Sequence, residues 1–186
     1  MAADSSVSPP HRNLTRTSRL MAWLALAGAV LLPLMVIHGF VAPSQHANFV
    51  TRFEGFGHLL TPDVPLRDRI LALAFQLIPA GLKVLALLAL RDLFNRYAEG
   101  EMFSLSSVAA LRRVAKYLFL AVIAGFVVQA GTSFALTLSN PPGEHLIVVG
   151  LSSAMIGNIF WAGVMMVIAW AMCEARNLAD ENASIV

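Results

Sequence analysis

Long apolar runs dominate the chain, and shorter polar stretches separate them. Four runs are long enough to cross a hydrocarbon core, which takes about 20 residues of helix: residues 20–42, 70–90, 117–138 and 151–173. A spanning segment must satisfy its backbone groups without water, so each run is expected to be a helix. The period of two that marks barrel strands is missing from these runs. The pattern predicts an all-α integral membrane four-helix bundle in a single membrane domain over 19–186. Residues 1–18, rich in Ser, Pro and Ala with scattered Arg, are expected to form a disordered tail.

Between the second and third runs the apolar pattern continues past the membrane. Leu93, Phe94 and Tyr97 follow Leu90 at helical spacing, while Arg91, Asp92, Asn95 and Arg96 take the other side. Asp92 and Arg96 are placed for an i,i+4 ion pair. Gly100 suits a helix C-terminal stop. Ser104 suits the N-cap of the next helix, and Phe103 and Val108 have the spacing of a hydrophobic staple. From there Leu105, Val108, Leu111, Ala115 and Leu118 are expected to share one face, with Arg112, Arg113 and Lys116 on another. Helices over Arg67–Ala98 and Leu105–Leu138 would each be roughly 50 Å long at 1.5 Å per residue, against a core of about 30 Å. The second and third helices are therefore predicted to extend into a cytoplasmic helical hairpin. Glu174 to Val186 is expected to continue the fourth helix, with Leu178, Ile185 and Val186 packed on that hairpin.

Composition agrees with a membrane protein: 58% of residues are hydrophobic and 13% charged, where soluble domains run near a quarter charged. Mean hydropathy is +0.71. With a net charge of +2, the placement of charge matters more than its total. Arg12, Arg16, Arg19, Arg91, Arg96, Arg112, Arg113, Lys116 and Arg176 fall on one side of the predicted spans. Arg52, Arg67 and Arg69 fall on the other. The positive-inside rule then puts both termini and the hairpin in the cytoplasm. The first run is longer than a signal-peptide core, and Pro43 after Ala42 disfavours cleavage, so it is expected to stay as an anchor. The single cysteine, Cys173, excludes an intrachain disulfide and is read as a packing residue.

Polar residues inside the spans are the default place to look for function. Gln76, Pro79 and Lys83 recur on one face of the second span. Gln129 lies near the middle of the third, followed by Thr132 and Ser133, and Asn158 lies in the fourth. Gln76 and Asn158 are expected at similar depth, where they would hydrogen-bond across the bundle. Interhelical bonding is the expected role of Gln76, Gln129 and Asn158; Lys83 is expected to snorkel or to find a structural partner. The close-packed interfaces are expected at Ala25/Ala29, Ala121/Gly125 and Ser153/Gly157.

The loops on the side away from the hairpin carry His46, Glu54, His58, Asp63, Glu144 and His145, and His38 ends the first span. Their spacing is not that of a helical metal site, and no metal or other cofactor is expected. No phosphate-binding glycine loop, nucleophile elbow or pair of catalytic carboxylates is visible, so the protein is expected not to be an enzyme. The basic hairpin is too small and too near the bilayer for direct nucleic-acid binding.

The segment LRDLFNRYAEGEMFSLSSVAALRRVAKYL, Leu90 to Leu118, resembles the central signature of the bacterial family catalogued as domain of unknown function 2975. The matching positions are Leu90, Arg91, Phe94, Gly100, Phe103, Ser104, Val108, Leu111 and Arg112. The ending EARNLADENASIV is similar to the family's C-terminal segment, and the resemblance covers residues 20–186. It implies a four-span bacterial inner-membrane protein without catalytic residues to carry over. Family members are often encoded beside helix-turn-helix regulators, which implies an accessory or regulatory membrane component. A cytoplasmic partner such as a helix-turn-helix regulator would then dock on Arg91, Arg96, Phe103, Ser104, Arg112, Arg113 and Lys116, residues that also suit lipid headgroups. The other expectation is a small transporter or channel subunit built on the Gln76 and Lys83 face, as a homo-oligomer or with a partner subunit.

Overall fold

Each apolar run forms a helix longer than the bilayer requires. The computed structural model describes residues 10–41, 64–101, 104–143, 145, 147, 149–150 and 153–184. Its helices are α1 (Pro10–Val41), α2 (Leu66–Ala98), α3 (Leu105–Leu136) and α4 (Ser153–Ser184). All four are long and apolar enough to cross a membrane. They pack in chain order, α1 on α2, α2 on α3 and α3 on α4.

The interior is made mainly of small residues. Ala22, Ala25 and Ala29 of α1 are buried, as are Ala72, Ala80, Ala86 and Ala89 of α2. Ala110, Ala115, Ala121 and Ala135 follow in α3, and Ala162 and Ala169 in α4. Large side chains such as Trp23, Leu34, Phe119, Phe160 and Trp170 turn outward. This inversion suits a lipid solvent, where tails are as apolar as leucine and helices associate through close backbone approach. One approach is very tight: a Cβ on Gly131 of α3 would lie 2.9 Å from ring carbons of Phe75 on α2.

Two clusters close the ends of the bundle. Near the α2–α3 corner, Leu93, Ala110, Leu111 and Ala169 pack with Leu90, Tyr97, Met165 and Met172. At the opposite end Phe40, Val64, Ala72, Ala135 and Leu136 pack with Val36, Leu73 and Phe75.

Several boundaries differ from the sequence expectation. Helix α1 begins at Pro10, so residues 10–18 of the expected tail are helical, and residues 1–9 lie outside the described residues. Proline suits a first helical turn, where its missing N–H costs nothing, and the buried Ser18 continues the Ala22–Ala25–Ala29 face. Helix α3 ends at Leu136. In α3 the buried face is Ser107, Val108, Ala110, Leu111, Val114 and Ala115, while Leu105 is exposed. Helix α4 does continue to Ser184, but Leu178 is 53% exposed and does not pack on the hairpin. Ile185 and Val186 lie outside the described residues.

Candidate functional site

The α2–α3 corner is built by local hydrogen bonds. Gly100 has φ +87°, a left-handed conformation that glycine adopts without steric cost. The Glu101 N–H bonds the Arg96 carbonyl at 3.0 Å and the Gly100 N–H bonds the Tyr97 carbonyl at 3.2 Å. These are the paired closures of a Schellman stop. Ser104 then caps α3: its Oγ accepts from the Ser107 N–H at 3.1 Å. Hydroxyls of Ser104 and Ser107 both donate to the Glu101 carbonyl.

An ion network ties the two helices across this corner. Arg113 of α3 meets Asp92 of α2 at 2.7 Å. Asp92 also meets Arg96 at 3.4 Å, and Arg96 lies 3.9 Å from Glu101. These side chains are half-exposed, so each pair contributes about 0–1 kcal/mol. Their effect is to spend Arg96 and Arg113 inside the corner. Arg91, Arg112 and Lys116 are exposed and make no ion pair among the described residues. Phe103 lies outside the described residues.

A ladder of polar groups runs up α3 toward the end of the bundle away from the corner. Gln76 Nε2 of α2 donates to Thr132 Oγ1 at 3.2 Å, and both residues are buried. Gln129 Oε1 accepts from the Gly150 N–H at 2.7 Å, and its Nε2 approaches Met155 Sδ at 3.7 Å. Ser133 Oγ donates to the Gln129 carbonyl and Thr137 Oγ1 to the Ser133 carbonyl, both at 3.0 Å. Beyond the end of α3, Asp68 is fully buried and accepts from the Ser139 N–H at 3.0 Å and from Arg67 Nε at 3.1 Å. Arg67 Nη2 also donates to Ser139 Oγ at 3.2 Å. His145 Nδ1 lies 2.9 Å from the Thr137 carbonyl, an acceptor, so this nitrogen carries the proton. Polar groups of the ladder thus find protein partners, and its chemistry is interhelical attachment.

The expected Gln76–Asn158 pair does not form. Gln76 bonds Thr132, and Asn158 is exposed. The Gly150 N–H bonds Gln129 of α3, so Gln129 too is engaged away from Asn158. Lys83 is exposed on α2 and makes no ion pair among the described residues. It lies seven residues from Gln76, which lies seven from Arg69, so the three share one stripe. Arg69 keeps Nε and Nη1 buried without a hydrogen-bond partner among the described residues. Asp68, Thr137 and Gly150 were not expected in the ladder. His38 is exposed; His46, Glu54, His58, Asp63 and Glu144 lie outside the described residues.

Four long apolar helices packed as a bundle, with alanines inside and bulky side chains outside, define a multi-pass membrane protein. The chain belongs to the DUF2975 family, described as protein of unknown function, whose family model matches residues 18–186. No curated protein and no solved structure matches the chain significantly.

Proposed function

We propose that this is a non-enzymatic accessory or regulatory protein of the bacterial inner membrane, with both termini in the cytoplasm and the α2–α3 corner as a docking site for a cytoplasmic partner such as a helix-turn-helix regulator. The observation that supports it is the economy of charge at the corner. Asp92, Arg96, Glu101 and Arg113 are consumed in holding the turn. Arg91 and Arg112 stand outward on the rigid frame they make. A slack linker would need neither the Schellman closure nor the serine cap. The test is capture from native membranes in mild detergent, wild type against Arg91→Glu/Arg112→Glu, with Arg113 kept because it pairs with Asp92. A specific cytoplasmic protein that is lost with the variant supports docking. Equal capture by an inserted variant argues against it.

A second reading, a small transporter or channel subunit, is favoured by Lys83 alone. It is a cation without an ion-pair partner among the described residues, and no span holds an Asp or Glu between residues 70 and 90, 117 and 138, or 155 and 173. Its counter-charge would come from a ligand, a lipid or a partner subunit. Unchanged growth, solute flux and ligand-dependent stability in Lys83→Met would remove this reading.

A further inference from the structure

Close to the corner, α3 and α4 diverge around a groove of about 340 Å³ lined by Arg112 from α3 and by Met166, Val167, Ala169, Trp170 and Cys173 from α4. We propose that this groove seats one anionic phospholipid, of the phosphatidylglycerol kind, from the leaflet on the corner side.

The argument starts from depth. Ala169 packs on Leu93, Ala110 and Leu111, which puts its neighbour Trp170 level with the Asp92–Arg113 ion pair. That pair is charged and half-exposed, so it belongs outside the hydrocarbon core. Trp170 is 76% exposed, and an exposed indole at this level suits the membrane interface, where its ring is amphipathic enough to stay. Met166 and Val167 lie about one turn, ~5 Å, deeper along α4. They are exposed toward the surroundings and offer an apolar track for an acyl chain.

Charge then selects the headgroup. Among the described residues the lining holds one guanidinium and no carboxylate. Arg112 is exposed and free of ion pairs among the described residues, whereas its neighbour Arg113 is held by Asp92. A guanidinium fork matches two phosphate oxygens. Lys116, one turn deeper on the same side of α3, is also exposed and is a second cation near the groove. Glu174, the nearest carboxylate along α4, is one turn beyond Trp170 and does not line the groove. A free phosphate would meet only the mouth and leave the apolar track unused. A choline headgroup would bring a third cation beside Arg112 and Lys116. An anionic diacyl lipid satisfies both halves.

This inference goes beyond the docking of a protein and stands without it, because its test contains no other protein. Trp170 is the reporter in the full chain carrying Trp23→Phe and Trp161→Phe. The protein is reconstituted in vesicles of phosphatidylcholine with a minor fraction of brominated lipid, either phosphatidylglycerol or phosphatidylcholine. Brominated phosphatidylglycerol is expected to quench Trp170 with a relative affinity about fivefold higher, the preference that one arginine near a headgroup supplies. Arg112→Gln is expected to bring the ratio close to one without changing the melting temperature. Glycerol phosphate in solution is expected not to displace the brominated lipid. Equal quenching by the two lipids in the reporter chain, whose groove residues are unaltered, overturns the proposal. A ratio unchanged by Arg112→Gln, or displacement by the soluble headgroup, also overturns it.

Discussion

Asp68 carries a role that its surroundings in the sequence conceal. Flanked by Arg67 and Arg69 after a loop, it reads as part of a solvated charge cluster. In the fold it is fully buried and joins the start of α2 to the segment just past α3, by accepting the Ser139 N–H. Burying a carboxylate is tolerable only because donors meet it. Asp68→Ala strands that N–H and should lower stability by about 1–3 kcal/mol. Asp68→Asn keeps one acceptor oxygen and should cost less. Arg67→Ala removes an exposed partner and should cost about 0–1 kcal/mol. Thermal unfolding in detergent of the three variants checks the order. If Arg67→Ala costs as much as Asp68→Ala, the ion pair and not the backbone bond holds this end together.

At the scale of helices, what was legible in the sequence was local. The runs, the Gly100 stop and the Ser104 cap depend on neighbours within a few positions, and each was expected where it occurs. The Asp92–Arg96 pair is of the same kind. Which face of each helix turns inward was harder, because lipid-facing and protein-facing positions are both apolar. Leu105 joined an apolar series with Val108 and Leu111, yet it is exposed while Ser107 is buried. Of the expected small-residue pairs, Ala25 and Ala29 are buried, and so is Ala121, but Ser153 is exposed and a Cβ at Gly125 or Gly157 would meet nothing within 4 Å. The partners of Gln76 and Gln129 were not legible, since they depend on the stagger of whole helices and on the backbone at Gly150. Gly131 shows how small residues set helix spacing. Gly131→Ala drives a methyl against the Phe75 ring and should cost about 1–3 kcal/mol. Gly125→Ala, which meets nothing within 4 Å, should be close to neutral. Combining Gly131→Ala with Phe75→Leu should recover part of the loss in thermal unfolding. Additive losses would mean that the α2–α3 approach is not limited by this contact.

For the whole molecule, the compartment that faces the corner decides both the docking reading and the lipid groove, because both draw their partners from that side. Charge argues for the cytoplasm. The corner and its flanks hold Arg91, Arg96, Arg112, Arg113 and Lys116, and the start of α1 and the end of α4 lie on the same side with Arg12, Arg16, Arg19 and Arg176. Among the described residues the far side has Arg67 and Arg69, and Arg67 is engaged with Asp68. Orientation follows the Lys and Arg bias of short loops near the spans, and the topology we propose on that rule has the corner inside. The single native cysteine makes this measurable. In a Cys173→Ala background, Glu99→Cys marks the corner and Pro141→Cys the opposite end; both positions are exposed. A membrane-impermeant maleimide added to intact spheroplasts should label Pro141→Cys and spare Glu99→Cys. Inside-out vesicles should reverse the pattern. Labelling of Glu99→Cys in intact spheroplasts would place Arg91 and Arg112 outside the cytoplasm. A cytoplasmic docking partner would then be excluded, while the groove beside Arg112 would have to recruit its lipid from the outer leaflet.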